Sequence, residues 1–496
     1  MEYRLWINNE YRDAQAGETF QVLDPATEEV VGVAPRGRGE DIAAAVEAAK
    51  EAFPAWKRVP GVEKAALLHE VARRIREQEK ELATLLTLEG GKPLIENRDE
   101  MEWSAACFDY YAEIGRNERG RVIPSIEETQ LSMVLKEPYG VVGCIIPWNY
   151  PILLLAWKVA PALAAGNTVV IKPSEMTPLS TLKLAEAVFD HLPAGVVNIV
   201  SGYGAEAGEP LVVHPDVRMI AFTGSLATGQ RIAELASKQM KKLHLELGGK
   251  DAFVVCDDAD LDVAVKGVAW AALLNCGQVC TSTERVYVPQ SLAGKFTDDM
   301  VAYVESLILG PGMEPDTDIG PMIGEKYRAK VEEHVAEAKA KGARILTGGR
   351  RPPQFQRGYF YEPTVLVDVN HGMQIMSEET FGPTIPIMTY SDLDEAIALV
   401  NDSPYGLGAN IYTHDPRKVK KFFEEVKAGT IWINDPLTDN DAGPFGGMKM
   451  SGGSRELGEE GLEEFRETKH VHWDFSMEEK VWWYPYTRYG KVREDS

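Results

Sequence analysis

Residues 141-VVGCIIPWNYPILLLAWKVAPALAAGNTVVIKP-173 decide the fold of this chain. They contain an apolar strand at 141–147, a helix at 151–165 and a second apolar strand at 168–173. The same alternation of apolar runs and helical segments continues to residue 247. It predicts an α/β fold with a parallel, doubly wound sheet, because parallel strands need crossover helices that cover the sheet. Such sheets bind their ligands beyond the carboxyl ends of the strands.

A second α/β series follows the first one. It runs from a helix at 260–275 to a helix at 392–400. Two further segments, 120-GRVIPSIEETQLSMVLKEPYG-140 and 466-RETKHVHWDF-475, alternate in polarity and carry no helical pattern. We expect them to form strands of one β-ribbon that stands off the domain.

The charge and cysteine content exclude several classes of function. The 496 residues include 52 Lys and Arg but 76 Asp and Glu, so the formal net charge is −24. Nucleic acids and anionic membranes need a basic surface, and neither is expected as a partner. Five cysteines in so long a chain do not form a disulfide framework, which favours the cytoplasm. No His or Cys cluster has zinc spacing, so no metal site is predicted.

No segment predicts export or membrane insertion. The stretch 1-MEYRLWINNEYRDA-14 is charged and lacks the apolar centre of a signal peptide. The most apolar window, 152–171, is interrupted by Lys158, Pro161 and Gly166. It therefore predicts a helix, a turn and a strand.

Two apolar runs end in residues that suit covalent catalysis. The segment 274-LNCGQVCTSTERV-286 places Cys280 behind a Gly-Gln pair, and 243-LHLELGGKDAFVV-255 places Glu246 before a Gly-Gly turn. A thiolate can attack an electrophilic carbon, and a carboxylate can activate the water that releases the product. Each residue also has an ordinary interpretation, as a buried structural cysteine and as a solvated turn glutamate.

Two strand ends predict a nucleotide site without a G-x-G-x-x-G motif. The turn 223-TGSLATG-229 opens a helix whose N–H groups can hold a pyrophosphate, although a simple helix cap has the same pattern. The second strand end is 172-KPSE-175, where Glu175 can accept from a ribose hydroxyl. That carboxylate would repel a 2′-phosphate, so NAD is favoured over NADP. The positive charge of Lys172 weakens this preference.

The segment 147-PWNYP-151 follows the first strand. Proline on both sides restricts the turn. The Asn149 amide is a neutral donor that suits a developing oxyanion, with the backbone N–H of Cys280 as a second donor. The alternative is a turn asparagine that bonds to its own backbone.

Taken together, seven motifs resemble the NAD(P)-dependent aldehyde dehydrogenase superfamily in order and spacing. They are PWNYP (147–151), KPSE (172–175), FTGS (222–225), ELGGK (246–250), GQVC (277–280), EETFGP (378–383) and PFGGMKMSG (444–452). The resemblance implies a Rossmann-like cofactor domain, an α/β catalytic domain and a small β-ribbon for oligomerisation. It also implies a small-molecule aldehyde as substrate and a homodimer or homotetramer as assembly.

The resemblance also suggests domain boundaries. The expected parts are a cofactor domain of 1–119 with 140–247, a catalytic domain of 248–446, a ribbon of 120–139 with 466–480, and a C-terminal aromatic tail of 481–496.

By the same resemblance, Cys280 is the nucleophile, Asn149 and the Cys280 amide hold the oxyanion, and Glu246 activates water. Glu456, in 455-RELG-458, resembles a second carboxylate in the proton path. CoA-acylating relatives lack the carboxylate of Glu246, so a free acid is the expected product. The residues implied in NAD binding are Trp148, Lys172, Ser174, Glu175, Thr223, Gly224, Ser225, Glu379 and Phe381.

The substrate is harder to predict. Tyr150 and Trp157 match part of the aromatic box that betaine and amino-aldehyde dehydrogenases use for a cationic nitrogen. Leu274 and Phe445 stand where those enzymes often carry Trp. A general aliphatic or aromatic aldehyde is therefore the first expectation, and a betaine or amino aldehyde is the second.

Two interpretations from other classes stay open at this point. One is a family member that has lost catalysis and serves as a structural or binding protein, against which the intact Cys280, Glu246 and Asn149 argue. The other is a thiol esterase that uses the same nucleophile without NAD.

The C-terminal tail lies beyond the part that resembles the family. It carries Trp482, Trp483, Tyr484, Tyr486 and Tyr489. So many aromatic side chains predict a contact with another subunit or a cover over the aldehyde entrance, with packing on the chain's own surface as the alternative.

Overall fold

The computed structural model describes residues 3–117 and 120–487. The strands in these ranges are β1 (Leu5–Ile7), β2 (Glu10–Arg12), β3 (Thr19–Leu23), β4 (Val30–Pro35), β5 (Arg121–Ile123), β6 (Gln130–Pro138), β7 (Val141–Ile145), β8 (Thr168–Lys172), β9 (Val197–Ile199), β10 (Val217–Thr223), β11 (Lys242–Glu246), β12 (Asp251–Val255), β13 (Thr283–Pro289), β14 (Arg344–Thr347), β15 (Thr364–Val367), β16 (Thr384–Tyr390), β17 (Tyr405–Gly406), β18 (Gly408–Tyr412), β19 (Thr430–Ile433), β20 (Met448–Lys449) and β21 (Arg466–Asp474).

The α-helices in the same ranges are α1 (Gly39–Trp56), α2 (Gly61–Glu77), α3 (Glu79–Gly90), α4 (Leu94–Gly115), α5 (Pro151–Ala164), α6 (Leu179–Phe189), α7 (Glu209–Val213), α8 (Leu226–Ser237), α9 (Leu261–Leu273), α10 (Ala293–Ser306), α11 (Glu325–Ala340), α12 (Gln374–Ser377), α13 (Leu393–Asn401), α14 (Pro416–Glu425) and α15 (Gly458–Glu464). None of them is both long and apolar enough to cross a bilayer.

The first large sheet has the order β11-β10-β7-β8-β9-β1-β2. The five strands from β11 to β9 are parallel, and β1 and β2 add an antiparallel edge. From β7 the chain builds β8 and β9 on one side and then returns to build β10 and β11 on the other. A ligand crevice is expected at that reversal, between the carboxyl ends of β7 and β10.

The second large sheet has the order β14-β15-β16-β13-β12-β18-β19. It is parallel except for the antiparallel pair of β14 and β15. Its apolar core is separate from the cores that flank the first sheet. The sequence patterns did not predict four strands of this sheet, β12, β16, β18 and β19, or the helix α14.

A three-stranded antiparallel sheet of β5, β6 and β21 stands apart from the two large sheets. β6 and β21 pair along their whole length, from Gln130 with Asp474 to Pro138 with Arg466. The predicted ribbon is thus present as a structure. The described part of the tail, 481–487, is exposed, and the predicted contact of Tyr489 lies outside the described residues.

The prediction of an α/β fold with a doubly wound cofactor sheet, a second α/β unit and a small ribbon is confirmed by this topology. The predicted domain boundaries stay a prediction.

Candidate active site

A cavity of about 810 Å³ opens beside β7 and β10. Asn149 and Cys280 both line it. The nine residues predicted to hold the cofactor line it as well, namely Trp148, Lys172, Ser174, Glu175, Thr223, Gly224, Ser225, Glu379 and Phe381. The cavity therefore lies where the reversal of strand order predicts a ligand.

One part of the wall is the loop after β8 together with the start of α8. Lys172 ends β8, is 3% exposed, and places Nζ 3.4 Å from a carboxylate oxygen of Glu175. Burial lowers the pKa of Lys172. Ser225 caps α8 by accepting from the backbone N–H of Thr228. The lysine and glutamate suit ribose hydroxyls, and the first turn of the helix suits a pyrophosphate.

A second part of the wall is the turn that carries Glu379 and Phe381. The backbone N–H groups of Thr380 and Phe381 each donate to Glu284 at 2.7 Å, and Lys250 Nζ lies 2.5 Å from the same carboxylate. Phe381 has a φ of 56°, a strained value for a residue with a side chain. The buried ion pair therefore holds the turn in a shape that it would not keep alone.

The glycines after Glu246 bring this turn close to the nucleophile. A Cβ on Gly248 would lie 2.3 Å from Glu379 Oε1, and a Cβ on Gly249 would lie 2.5 Å from the carbonyl oxygen of Cys280. Both distances are far below van der Waals contact, so a side chain would push these parts apart. The N–H of Gly249 also donates to Glu379, and burial raises the pKa of Glu379 to about 7.

Cys280 follows a turn in which three residues in succession have left-handed backbone angles. The φ values are 48° at Asn275, 57° at Cys276 and 72° at Gly277. The Asn275 N–H donates to Glu96 at 3.0 Å, and its side-chain amide donates to the Gln278 carbonyl at 3.2 Å. These hydrogen bonds fix a strained turn that carries the candidate nucleophile.

The Cys280 thiol is surrounded by acidic groups. Burial, followed by the charges of Asp251, Asp439 and Glu246, raises the pKa of the thiol well above its usual range. The thiol is therefore protonated at neutral pH in this state, and a proton must leave before Cys280 can attack.

Asn149 lies between β7 and α5. Its side-chain amide donates to the carbonyl of Gln278 at 3.1 Å, two residues before Cys280. α5 begins at Pro151 without a side-chain cap of its own. Its first N–H groups instead donate to Glu100 of α4, from Ile152 at 2.9 Å and from Leu153 at 3.1 Å.

Glu246 ends β11, is 2% exposed, and pairs in register with Thr223 of the cavity wall. Neither of its carboxyl oxygens has a hydrogen-bond partner among the described residues. Burial and then the charge of Glu456 raise its pKa well above the ordinary value. Burial without a donor favours the protonated form of the carboxyl group and leaves its hydrogen-bonding positions free for water.

Glu456 is a member of a buried network. It pairs with Lys158 of α5 and lies 3.3 Å from Nε2 of His244. Lys158 Nζ also donates to Thr223 Oγ1 at 2.5 Å. The lysine therefore connects Glu456 to the cavity wall, which is compatible with the predicted place in a proton path.

Two of the four predicted substrate residues form an aromatic pair, and the other two lie in or against the first apolar core. Trp157 packs on Phe445 with ring centroids 5.0 Å apart, and Leu274 packs against the first core. Tyr150 is buried, and Lys92 Nζ lies 3.7 Å from the centre of its ring. Since the chain's own lysine occupies one face of Tyr150, only the other face could meet a cationic substrate.

Carboxyl groups gather around Tyr150. After burial, the charges of Glu96, Glu100, Cys280 and Asp439 raise the pKa of its hydroxyl. Lys92 pairs with Glu100, but in the described part of the chain no basic side chain pairs with Asp439. Burial and then Asp441 raise the pKa of Asp439 to about 7. The Asp439 residue is nevertheless exposed to solvent.

Comparison with known proteins decides the family. The sequence profile of the aldehyde dehydrogenase family matches residues 11–471. The chain belongs to this family. The predicted resemblance is thereby confirmed, and the chain is an aldehyde dehydrogenase by family.

Relatives of this aldehyde dehydrogenase match along nearly its whole length. Betaine aldehyde dehydrogenase 1 of Oryza sativa subsp. japonica is 41% identical over 489 residues, covering 97% of each chain. Aminoaldehyde dehydrogenase 2 of Zea mays is 41% identical over 491 residues, also covering 97% of each chain. The crystal structure of betaine aldehyde dehydrogenase from Staphylococcus aureus in complex with NAD⁺ superposes with a TM-score of 0.95 at 36% identity, covering 97% of each chain.

Several groups in the site of this aldehyde dehydrogenase were not predicted from the sequence. They are Lys158, His244, Glu284, Lys250, Glu96 and Asp439. Lys250 ends the motif ELGGK, and Glu284 follows Cys280 by four residues. Their positions in the sequence could therefore have identified them as residues of the site. Lys158 and His244 each lie in an apolar run, where a buried polar group needs a partner. That partner is Glu456, which is remote from both in the sequence. No group of three or more metal-binding side chains is found in the described ranges.

Proposed function

We propose that this aldehyde dehydrogenase oxidises an aldehyde to a carboxylic acid with NAD, through a thioester on Cys280 that water hydrolyses. One observation carries the proposal. The thiol of Cys280 shares a single cavity with Asn149 and with all nine predicted cofactor residues. The wall fits NAD, because Lys172 with Glu175 offers polar partners for a ribose and the N-terminus of α8 attracts a diphosphate.

The residues of this chain have distinct parts in the proposed reaction. Cys280 loses its proton, attacks the aldehyde carbon and forms a thiohemiacetal. The Asn149 amide and the Cys280 N–H donate to the oxyanion. NAD, when bound, supplies a nicotinamide ring as the hydride acceptor. Loss of the hydride from its carbon turns the thiohemiacetal on Cys280 into a thioester. Glu246, once ionised, takes a proton from water, and the hydroxide attacks the thioester, releasing the acid and the Cys280 thiolate. The proton held on Glu246 can then return to the thiolate and restore the thiol.

We further propose that the substrate carries a cationic nitrogen, as in a betaine aldehyde or an ω-amino aldehyde. The supporting observation is Asp439, a carboxyl group whose charge adds to burial and to the charge of Asp251 in raising the pKa of the Cys280 thiol. An approaching cation lowers the pKa of such a carboxyl group and pairs with its anion. The names of the rice and maize relatives support the same substrate class.

A matched pair of substrates tests this specificity. Betaine aldehyde and 3,3-dimethylbutanal have nearly the same shape, but only the first is charged. We expect kcat/KM, measured from NADH absorbance, to favour betaine aldehyde by roughly tenfold or more, since an ion pair at partial exposure contributes on the order of 1 kcal/mol and a cation–π contact adds to it. The Asp439→Asn variant is expected to lose most of this preference, and the exposed Asp435→Asn variant is expected to keep it.

A general aldehyde is the second candidate. The packed Trp157 and Phe445, with Leu274, make an apolar wall that would accept neutral chains. Equal kcat/KM for the charged and neutral aldehydes, unchanged in Asp439→Asn, would select this candidate and contradict the cationic one.

The proposed assembly is a homodimer or homotetramer joined through the ribbon. The strands β5 and β21 expose apolar side chains, with Val122 72% and Trp473 55% exposed, and Trp482 and Trp483 of the tail add to this surface. A location in the cytoplasm is also proposed, since all five cysteines are free thiols.

A further inference from the structure

His244 is fully buried next to the two carboxyl groups of the hydrolytic site. It precedes Glu246 by two residues on β11, so both side chains leave the same face of the strand. Its Nε2 lies 3.3 Å from Glu456 Oε1, and its ring packs on Phe465 with centroids 5.5 Å apart. Nδ1 has no partner among the described residues. Because a carboxylate only accepts, Nε2–H of His244 is the donor to Glu456.

The two carboxyl groups therefore have opposite surroundings. Glu456 has two donors, Lys158 and His244, and together they lower its pKa although burial raises it. Glu246 has none among the described residues, and burial with the charge of Glu456 raises its pKa. Glu456, with two donors, therefore holds a negative charge more readily than Glu246, and a charge on one disfavours a charge on the other.

We propose that His244 is a positioning residue that holds the negative charge of this pair on Glu456 and thereby leaves Glu246 protonated in the resting enzyme. The inference rests on the proposed function of Glu246 in hydrolysis. His244 does not touch the substrate in this view and acts through Glu456 alone.

Other charged and titratable groups surround the pair on every side. Besides Lys158 of α5, Arg455 and Glu464 act on Glu246, and Lys242 lies 2.5 Å from Glu464. Burial is the main cause of the raised pKa of Cys107 and Tyr111 of α4 and of Cys144 of β7, and the charge of Glu456 adds to it in each case. All of these remain in a variant of His244, so a change in the pH profile of that variant reports the lost imidazole donor.

The direction of the pH shift in a His244 variant follows from the coupling between Glu246 and Glu456. Without the imidazole donor, the anion of Glu456 is less stable, and the proton moves partly from Glu246 to Glu456. Lys158 then faces a neutral Glu456 and further favours ionised Glu246. Glu246 becomes available as a base at lower pH, so the acidic limb of the hydrolysis rate moves to lower pH.

Ester hydrolysis separates this step from oxidation. With p-nitrophenyl acetate, the burst of p-nitrophenol reports acylation of Cys280, and the steady phase reports hydrolysis of the thioester by water. We expect His244→Met, which has similar size and no N–H donor, to shift the acidic limb of the steady phase down by roughly one pH unit, as for a hydrogen bond to a charged group. The donor-bearing His244→Gln should restore the wild-type limb, and the remote control His191→Gln should keep it.

Several outcomes would overturn the inference. An unshifted limb in His244→Met, or an equal loss of rate at all pH values in both His244→Met and His244→Gln, would mean that the imidazole only fills space. His244→Leu repeats the test without a donor if His244→Met does not fold. A wild-type enzyme without a burst would instead contradict the proposed role of Cys280, so the two failures are distinguishable.

Discussion

The two sides of Cys280 are built in different ways. On the proposed cofactor side, nine predicted residues line one open cavity of about 810 Å³. On the proposed substrate side, the large side chains already contact one another, Lys92 on Tyr150 and Trp157 on Phe445. In the proposed function, short motifs at strand ends would bind the common cofactor, whereas side chains from remote parts of the sequence would bind the particular substrate. The comparison can be tested by changes that affect one side and spare the other.

The largest effect is expected at Cys280, where the two sides meet. Cys280→Ala removes the nucleophile but no predicted cofactor contact, so turnover should fall by at least about a thousandfold while NAD binding persists. NADH absorbance measures the first quantity and tryptophan fluorescence titration with NAD the second. Cys276→Ala, whose thiol is buried, is the matched control and should retain activity. Sustained turnover in Cys280→Ala would place the nucleophile elsewhere.

The next effect is expected at Glu246. Glu246→Gln keeps the shape of the side chain and removes the base, so NADH should form in one burst and the steady rate should then fall by about a hundredfold or more. Mass spectrometry of the stalled enzyme should find the acyl group on Cys280. Glu467→Gln, on the exposed ribbon, should behave as wild type. A steady rate in Glu246→Gln equal to wild type would remove Glu246 from the mechanism.

A smaller effect is expected on the cofactor side alone. Glu175→Gln removes a charge that would repel a 2′-phosphate, so the ratio of kcat/KM with NADP to that with NAD should rise roughly fivefold, for a charge worth on the order of 1 kcal/mol. The matched control is Glu186→Gln, an exposed position on α6 outside the cavity wall, which should leave the ratio as in wild type. An unchanged ratio in Glu175→Gln would mean that Glu175 does not face the ribose.

The smallest effect is expected at the tail. Removal of residues 481–496 takes away Trp482, Trp483, Tyr484 and Tyr486, which are 47–75% exposed. We expect either a weaker oligomer in size-exclusion chromatography or a rate on bulky aldehydes raised by a factor of about two. Elution and kinetics that match the full chain would leave the tail as surface packing.

The sequence predicted well which residues line the cavity, because these residues lie where strands end. Lys172 and Thr223 each end a strand of the first sheet, so the topology alone brings them to one edge. It did not predict that Lys92, Glu96 and Asp439 lie near Tyr150, because they are remote from Tyr150 in the sequence. Their meeting depends on tertiary packing, which leaves no local pattern.

Local sequence features explain why three strands of the second sheet were missed. β18 and β19 are short, at five and four residues, and Pro386 inside β16 argues against a strand from the sequence alone. His244 and Lys158 were missed because each is a single polar residue in an apolar run, and only the folded chain shows that both meet Glu456.

Helix α4 has a consequence for the order in which the chain matures. Its Glu100 receives the first N–H groups of α5 next to Asn149, and its Glu96 receives the N–H of Asn275 in the turn before Cys280. α4 precedes both partners in the sequence, so it leaves the ribosome before either of them. Helix α4 contributes no side chain to the proposed chemistry. It is nevertheless synthesised first, and its two glutamates are available to accept hydrogen bonds when the turns of Asn149 and Cys280 form later.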